Sequence, residues 1–270
     1  MQDGSKNIHV GGASLYVVSQ GAGQPVIFLH AGVADSRMWK GELEHLSGAF
    51  HTVAYDRREF GRTESPDEVF SHVDDLRLVL DHIGAKQAGL VGCSQGGRIA
   101  IDFALTYPDR VTSLVLVAPA LSGDNAPDQF EPGIQSAIDT LDQAEEDDDI
   151  DAINDAEAHL WLDGPTSPAG RVAGAARELF LDMNKQALLH PDLEREQEPP
   201  SAVERLSDIA APTLVIYGDL DFPHVQNRCE EIAQAIPNAL IERFTGCAHL
   251  VNLEQPKLFR SVVGGFLARG

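Results

Sequence analysis

The segment Val91-Gly92-Cys93-Ser94-Gln95-Gly96-Gly97 carries a glycine two residues before a serine and another two residues after it. An apolar run, 88–93, precedes the serine, and a helical pattern, 95–107, follows it. A chain that passes from strand to helix in so short a turn strains the residue at its apex, and glycines on both sides leave room for the backbone to close up. The spacing alone is a weak signal, and the strand–turn–helix context gives it weight. Read this way, Ser94 stands at the carboxyl end of a buried strand, where open α/β sheets place their ligands.

The same rhythm extends outward from this turn. Segments 26–30, 51–56 and 111–119 are short apolar runs like 88–93, as expected of strands covered on both faces. Helical candidates 37–46, 72–83 and 95–107 separate them, and in the second Val73, Leu76, Leu80 and Ile83 fall on one face. Strands separated by single helices predict a mostly parallel sheet with right-handed crossovers. The rhythm stops near Leu121; from there to about Pro200 the chain reads as helical, acidic and broken by Gly and Pro. It resumes with a strand at 212–218, a helix at 224–236, a strand at 239–244 and a last helix near 257–268. The expected architecture is an α/β core of residues 1–120 and 201–270, interrupted by a helical cap at 121–200. The run Glu145-Glu146-Asp147-Asp148-Asp149 inside the cap reads as a solvated helix face or loop, since it lacks the ligand spacing of a cation loop.

Composition narrows the partners. The 270 residues hold 20 Lys+Arg against 42 Asp+Glu, a formal charge of −22, which repels phosphate backbones and anionic lipid surfaces. A hydrophobic content of 43% is enough for a large core and excludes global disorder. Cys93, Cys229 and Cys247 are odd in number and form no CxxC pair, which argues against a disulfide framework or a structural zinc site and for a reducing compartment. The N-terminal segment lacks the basic-then-apolar pattern of a signal peptide, and no apolar run approaches the roughly 18–20 residues of a membrane span. The expected setting is cytoplasmic and the expected partner a small molecule, with no nucleic acid and no membrane; oligomeric state is not legible.

A serine hydroxyl becomes a nucleophile when an imidazole takes its proton and a carboxylate orients that imidazole. Both groups follow at equivalent strand ends: Asp219-Leu220-Asp221 after 212–218, and Gly246-Cys247-Ala248-His249 after 239–244. Of the ten histidines, His249 has the right loop and chain order, and an imidazole titrates near neutral pH with little tuning. The backbone N–H of Gln95, directly after the serine, is a candidate oxyanion donor. Cys93 precedes the nucleophile position and reads as packing.

Leu29-His30-Ala31-Gly32 with Trp39 downstream, the run 55–63 (YDRREFGRT), the serine turn, the run 212–221 (PTLVIYGDLD) and the run 246–256 (GCAHLVNLEQP) together resemble the α/β-hydrolase fold superfamily over nearly the whole chain. The resemblance implies that Asp221 is the acid, with Asp219 the runner-up. It assigns His30 to holding the oxyanion loop and the second oxyanion donor to Gly32, with Ala31 as the alternative, since Ala31 stands where such loops carry glycine. In the loop Asp56–Thr63, Glu59 replaces a usual glycine; the loop reads as structural, with an arginine contact to substrate as the alternative.

The expected chemistry is hydrolysis of a small or medium carboxylic ester or lactone through an acyl-enzyme, with Ser94, Asp221 and His249 as the triad and neither metal nor organic cofactor. The same triad also serves carbon–carbon cleavage of meta-cleavage diketones, amide cleavage and perhydrolysis. A ligand sensor with slow turnover is the reading from another class, because fold does not dictate function. Substrate choice is expected in the cap, where Phe130, Trp161, Leu162, Phe180 and Met183 are candidates to line an acyl pocket, with Trp161, Phe130 and Met183 preferred.

Overall fold

The computed structural model describes residues 4–124, 127, 129–191 and 193–269. Eight strands, β1 (Lys6–Val10), β2 (Ala13–Gln20), β3 (Gln24–Leu29), β4 (Phe50–Tyr55), β5 (Ala88–Cys93), β6 (Val111–Val117), β7 (Thr213–Gly218) and β8 (Leu240–Phe244), form one sheet. Their order is β1-β2-β4-β3-β5-β6-β7-β8, with β1 and β2 antiparallel to their neighbours and every later pair parallel. The β1–β2 hairpin is absent from the sequence reading. Its signal is a Gly11-Gly12 turn, with Gly11 at φ 58°, between two alternating runs. The exposed Lys6, Asn7 and His9 of the edge strand dilute that signal.

Strand periodicity divides the core in two. On β3, β5, β6 and β7, Ile27, Leu29, Leu90, Leu114, Leu116 and Val215 face one apolar cluster, while Val26, Phe28, Val91, Val115, Val117 and Ile216 face the other. Successive side chains point to opposite faces, so a strand covered on both sides is apolar throughout. Helices α1 (Lys40–Leu46), α2 (His72–His82) and α3 (Gln95–Thr106) follow β3, β4 and β5. Between β6 and β7 lie α4 (Pro132–Glu146), α5 (Ile150–Glu157), a π-helical turn (Ala158–Asp163) and α6 (Ala175–Leu189). The chain closes with α7 (Pro223–Ala235), the short α8 (Val251–Glu254) and α9 (Pro256–Leu267). α2, α3 and α7 cover the first face of the sheet; α1 and α9 cover the second. The acidic run ends α4 and enters α5, where Asp149 Oδ1 accepts the Ala152 N–H at 3.1 Å and caps the helix.

β3 lies between β4 and β5, so the chain reverses its direction of travel across the sheet at β3. The connections leaving β3 and β5 therefore run to opposite faces of the sheet, the arrangement in which such sheets bind ligands in a crevice at the strands' carboxyl ends. The loop 30–35 and the turn at Ser94 form its two sides. Among the described residues no helix is long and apolar enough to cross a membrane.

Candidate active site

Ser94 sits between β5 and α3 at φ 51°, ψ −116°, a conformation that costs a non-glycine residue about 1–3 kcal/mol and persists only where its surroundings enforce it. The enforcement is visible. A Cβ on Gly92 would stand 2.3 Å from Gly96 O, and one on Gly96 would stand 2.3 Å from Leu29 O, so neither position admits a side chain. Ser94 N–H donates to Val117 O at 2.9 Å, and Ser94 O accepts from Arg98 N–H and Ala120 N–H, both at 3.0 Å. No side chain caps α3, so the Gln95 N–H, lacking an intrahelical acceptor, is open to a ligand. Cys93 is fully buried, and burial pushes its thiol far above the ordinary range, leaving a neutral packing group.

β7 and β8 supply the second half. His249 Nδ1 lies 2.7 Å from Asp221 Oδ2, with both residues only 3% exposed. The other oxygen, Oδ1, accepts the Phe222 N–H at 2.7 Å. Asp219 points elsewhere: its carboxylate takes the Gly246 N–H at 2.7 Å and faces Arg243 at 3.3 Å. Ser94 Oγ makes no hydrogen bond among the described residues, to His249 or otherwise; such bonds often tighten only when substrate is bound.

On the other side of the crevice, His30 is buried between two backbone groups. Nε2 accepts the Arg57 N–H at 3.0 Å, which places the ring proton on Nδ1, and Nδ1 donates to Ala31 O at 2.7 Å. Burial, then the neighbouring Arg57 charge, hold its pKa well below the ordinary value, so the ring stays neutral in this double role. Gly32 lies against Gln95: a Cβ there would meet Gln95 Nε2 at 2.7 Å. Arg57 and Arg58 are buried, the latter against Asp75 at 2.8 Å, and Arg62 stacks on Tyr16. Glu59 stands at φ 71°, the left-handed region that explains why the resembled pattern carries glycine there.

The segment between β6 and β7 reaches this site through its π-helical turn, a form that recurs at functional positions. The Trp161 ring centroid is 4.8 Å from that of His249, and Trp161 O accepts the His249 N–H at 3.3 Å. Phe222 lies 4.9 Å from Trp161, and Phe130 lies 6.0 Å from Phe222 and 5.6 Å from His224, extending an aromatic wall. Met183 is 1% exposed and belongs with Phe180 and Leu162, also buried, to the second apolar cluster. An apolar residue on a helix reads identically in sequence whether it faces the core or a pocket.

Two features escape the sequence altogether. Arg171 donates to Gly246 O and Leu162 O, both at 3.0 Å, and pairs with Glu254 at 2.5 Å; Glu254 in turn accepts the Ala248 N–H at 2.6 Å. This clamp ties the π-helical turn to the loop that carries His249. Arg57, the other feature, donates to the side-chain oxygen of Gln95 at 3.1 Å. Neither partner is near in sequence, so no local signal foretells them. Among the described residues no group of three His, Cys, Asp or Glu is placed to hold a metal.

The sequence pattern of the alpha/beta hydrolase fold matches residues 24–256, and the chain belongs to that family and is an α/β-fold hydrolase. Among its curated relatives, a putative 2-succinyl-6-hydroxy-2,4-cyclohexadiene-1-carboxylate synthase of Bacillus subtilis is 27% identical, the alignment covering 98% of each chain. A 2-hydroxy-6-oxo-2,4-heptadienoate hydrolase of Pseudomonas putida is also 27% identical, over 96% of this chain and 94% of its own. Among solved structures, a thermophilic esterase from Thermogutta terrifontis superposes with a TM-score of 0.79 at 23% identity, over 98% of each chain, a likeness of fold.

Proposed function

We propose that this hydrolase cleaves a small or medium carboxylic ester or lactone through an acyl-enzyme. The observation that carries the reading is the buried His249–Asp221 pair at 2.7 Å, at the same end of the sheet as a serine held at φ 51°. Ser94 Oγ attacks the carbonyl carbon while His249 Nε2 takes its proton; Asp221 keeps the other ring proton on Nδ1 and stabilises the imidazolium. The N–H groups of Gln95 and Gly32 receive the developing oxyanion. His249 then protonates the departing alcohol and afterwards deprotonates the water that releases the acid. Residues 121–200 act as a cap over the crevice, with Trp161 and Phe130 contacting an apolar part of the substrate. Three free, buried cysteines suit a reducing, cytoplasmic setting.

The test is p-nitrophenyl ester hydrolysis, acetate through octanoate, by the parent and Ser94→Ala. Turnover by the parent that falls by at least about a thousandfold in the variant supports the reading. Turnover surviving in the variant, or absent from the parent, removes it. The Pseudomonas putida relative supports carbon–carbon cleavage of a meta-cleavage diketone as the second reading. Diketone turnover with no ester turnover would establish that reading instead. One acylation equivalent followed by arrest would favour a sensor.

A further inference from the structure

Gln95 has an exposed side chain whose carboxamide is nevertheless fixed in orientation. Its Oε1 faces Arg57 Nη2 at 3.1 Å. Arg57 is 1% exposed, also donates to Ala31 O at 3.3 Å, and lies over the Phe60 ring at 4.4 Å; among the described residues it has no carboxylate at ion-pair distance. Burial lowers its pKa only to about 10, so at neutral pH the guanidinium keeps its charge and its donors. A guanidinium has no acceptor. The Gln95 atom turned towards it must therefore be the oxygen, since a flipped amide would set N–H against N–H. The amide nitrogen is therefore the atom not engaged by Arg57, and the whole carboxamide lies beside Gly32, where a Cβ would stand 2.7 Å from Nε2 and 3.1 Å from Oε1. Nε2 has no acceptor among the described residues. The site thus holds, beside the two proposed backbone donors, a third donor group of fixed direction that is without a partner.

We infer that the Gln95 carboxamide, oriented by Arg57, selects acyl groups carrying an acceptor oxygen (alkoxy, hydroxy or keto) on the carbon next to the reacting carbonyl. This inference rests on the ester-hydrolase reading of the same site. Gly32 N–H is one of the proposed oxyanion donors, so a group beside Gly32 lies alongside the carbonyl oxygen and within reach of a substituent one carbon away. A hydrocarbon acyl chain would cover the amide without satisfying it, and a site built around a hydrogen bond rejects the analogue that lacks the partner. Gln95 is the specificity-determining residue; Arg57, which does not touch substrate, is a positioning residue.

p-Nitrophenyl methoxyacetate and p-nitrophenyl butanoate differ only in exchanging an ether oxygen for a methylene, with leaving group and chain length unchanged. Their difference in intrinsic reactivity is common to all variants, so the readout is the ratio of the two kcat/KM values. Gln95→Met should lower the methoxyacetyl-to-butanoyl ratio about fivefold, the equivalent of one neutral hydrogen bond, whatever it does to both rates in common. Arg57→Met should lower the ratio similarly, and Arg57→Lys should restore part of it, because an ammonium can donate to Oε1. If the buried arginine variants fail to fold, Gln95→Met at its exposed position decides alone. A ratio within twofold of the parent's in Gln95→Met overturns the inference. A fall in Gln95→Met but not in folded Arg57→Met overturns the orienting role of Arg57. A parent that hydrolyses neither ester overturns the underlying reading and the inference with it, an outcome distinct from an active parent with an unmoved ratio.

Discussion

Asp219 and Asp221 are two residues apart, and their different surroundings separate their roles. Asp221 shares one oxygen with the His249 ring and gives the other to a backbone N–H, so both stay satisfied inside a buried site. Asp219 anchors the turn at Gly246 and meets an exposed arginine. Asp221→Asn should lower kcat on a p-nitrophenyl ester by about 10³–10⁴, because an amide in that place favours the wrong imidazole tautomer. Asp219→Asn should lower it by no more than about tenfold, through a loosened turn. Steady-state kinetics on the two variants settle the order, and a larger loss in Asp219→Asn would reverse the assignment. This distinction was only partly legible beforehand. The motif resemblance favoured Asp221, but two carboxylates following one strand look alike until their contacts are known.

At the scale of elements, local rules explain the serine turn and fail for the histidine loop. Gly92 and Gly96 are needed because helix α3 packs directly on β3 and on its own strand, and that need is written in the sequence around Ser94. The loop 246–250 has no such signature. Arg171 holds it from the segment between β6 and β7, reaching across 83 residues of chain to Glu254. Arg171→Met leaves the Glu254 carboxylate, 4% exposed at its side chain, without its cation, and should destabilise the protein by about 3 kcal/mol. Adding Glu254→Gln should recover part of that loss, since the amide retains an acceptor for Ala248 N–H without the buried charge. Thermal melts of the single and double variants make the comparison. A double variant less stable than Arg171→Met would show that repairing the unpaired charge is not the governing effect.

For the whole molecule, 42 acidic against 20 basic residues make self-repulsion a standing cost of compactness. Several cations are already committed to specific carboxylates, as in Arg58–Asp75, Arg171–Glu254 and Arg177–Asp163, so they do little to neutralise the remaining surface. Sodium chloride shortens the screening length from roughly 30 Å at 0.01 M to about 3 Å at 1 M, which should relieve that repulsion. Tm should therefore rise by several degrees between 0.01 and 0.5 M, about 2–4 °C for each kcal/mol gained. A flat or falling Tm would show that paired charges lost to screening outweigh the surface repulsion.

Read alone, the sequence determined the α/β class, the family resemblance, the strand-to-helix turn at Ser94 and the candidate status of Asp221, His249, Gln95 and Gly32. These depend on periodicity and on glycine spacing, and both act over a few residues. It did not resolve the β1–β2 hairpin, whose edge strand is half exposed, or whether Met183 faces core or pocket. Only the tertiary structure decided which carboxylate meets His249, that Arg171 clamps the histidine loop, and that Arg57 fixes the Gln95 amide. Each of these joins groups from distant parts of the chain. Their energy depends on distance and direction in space, and local residue spacing leaves both undetermined.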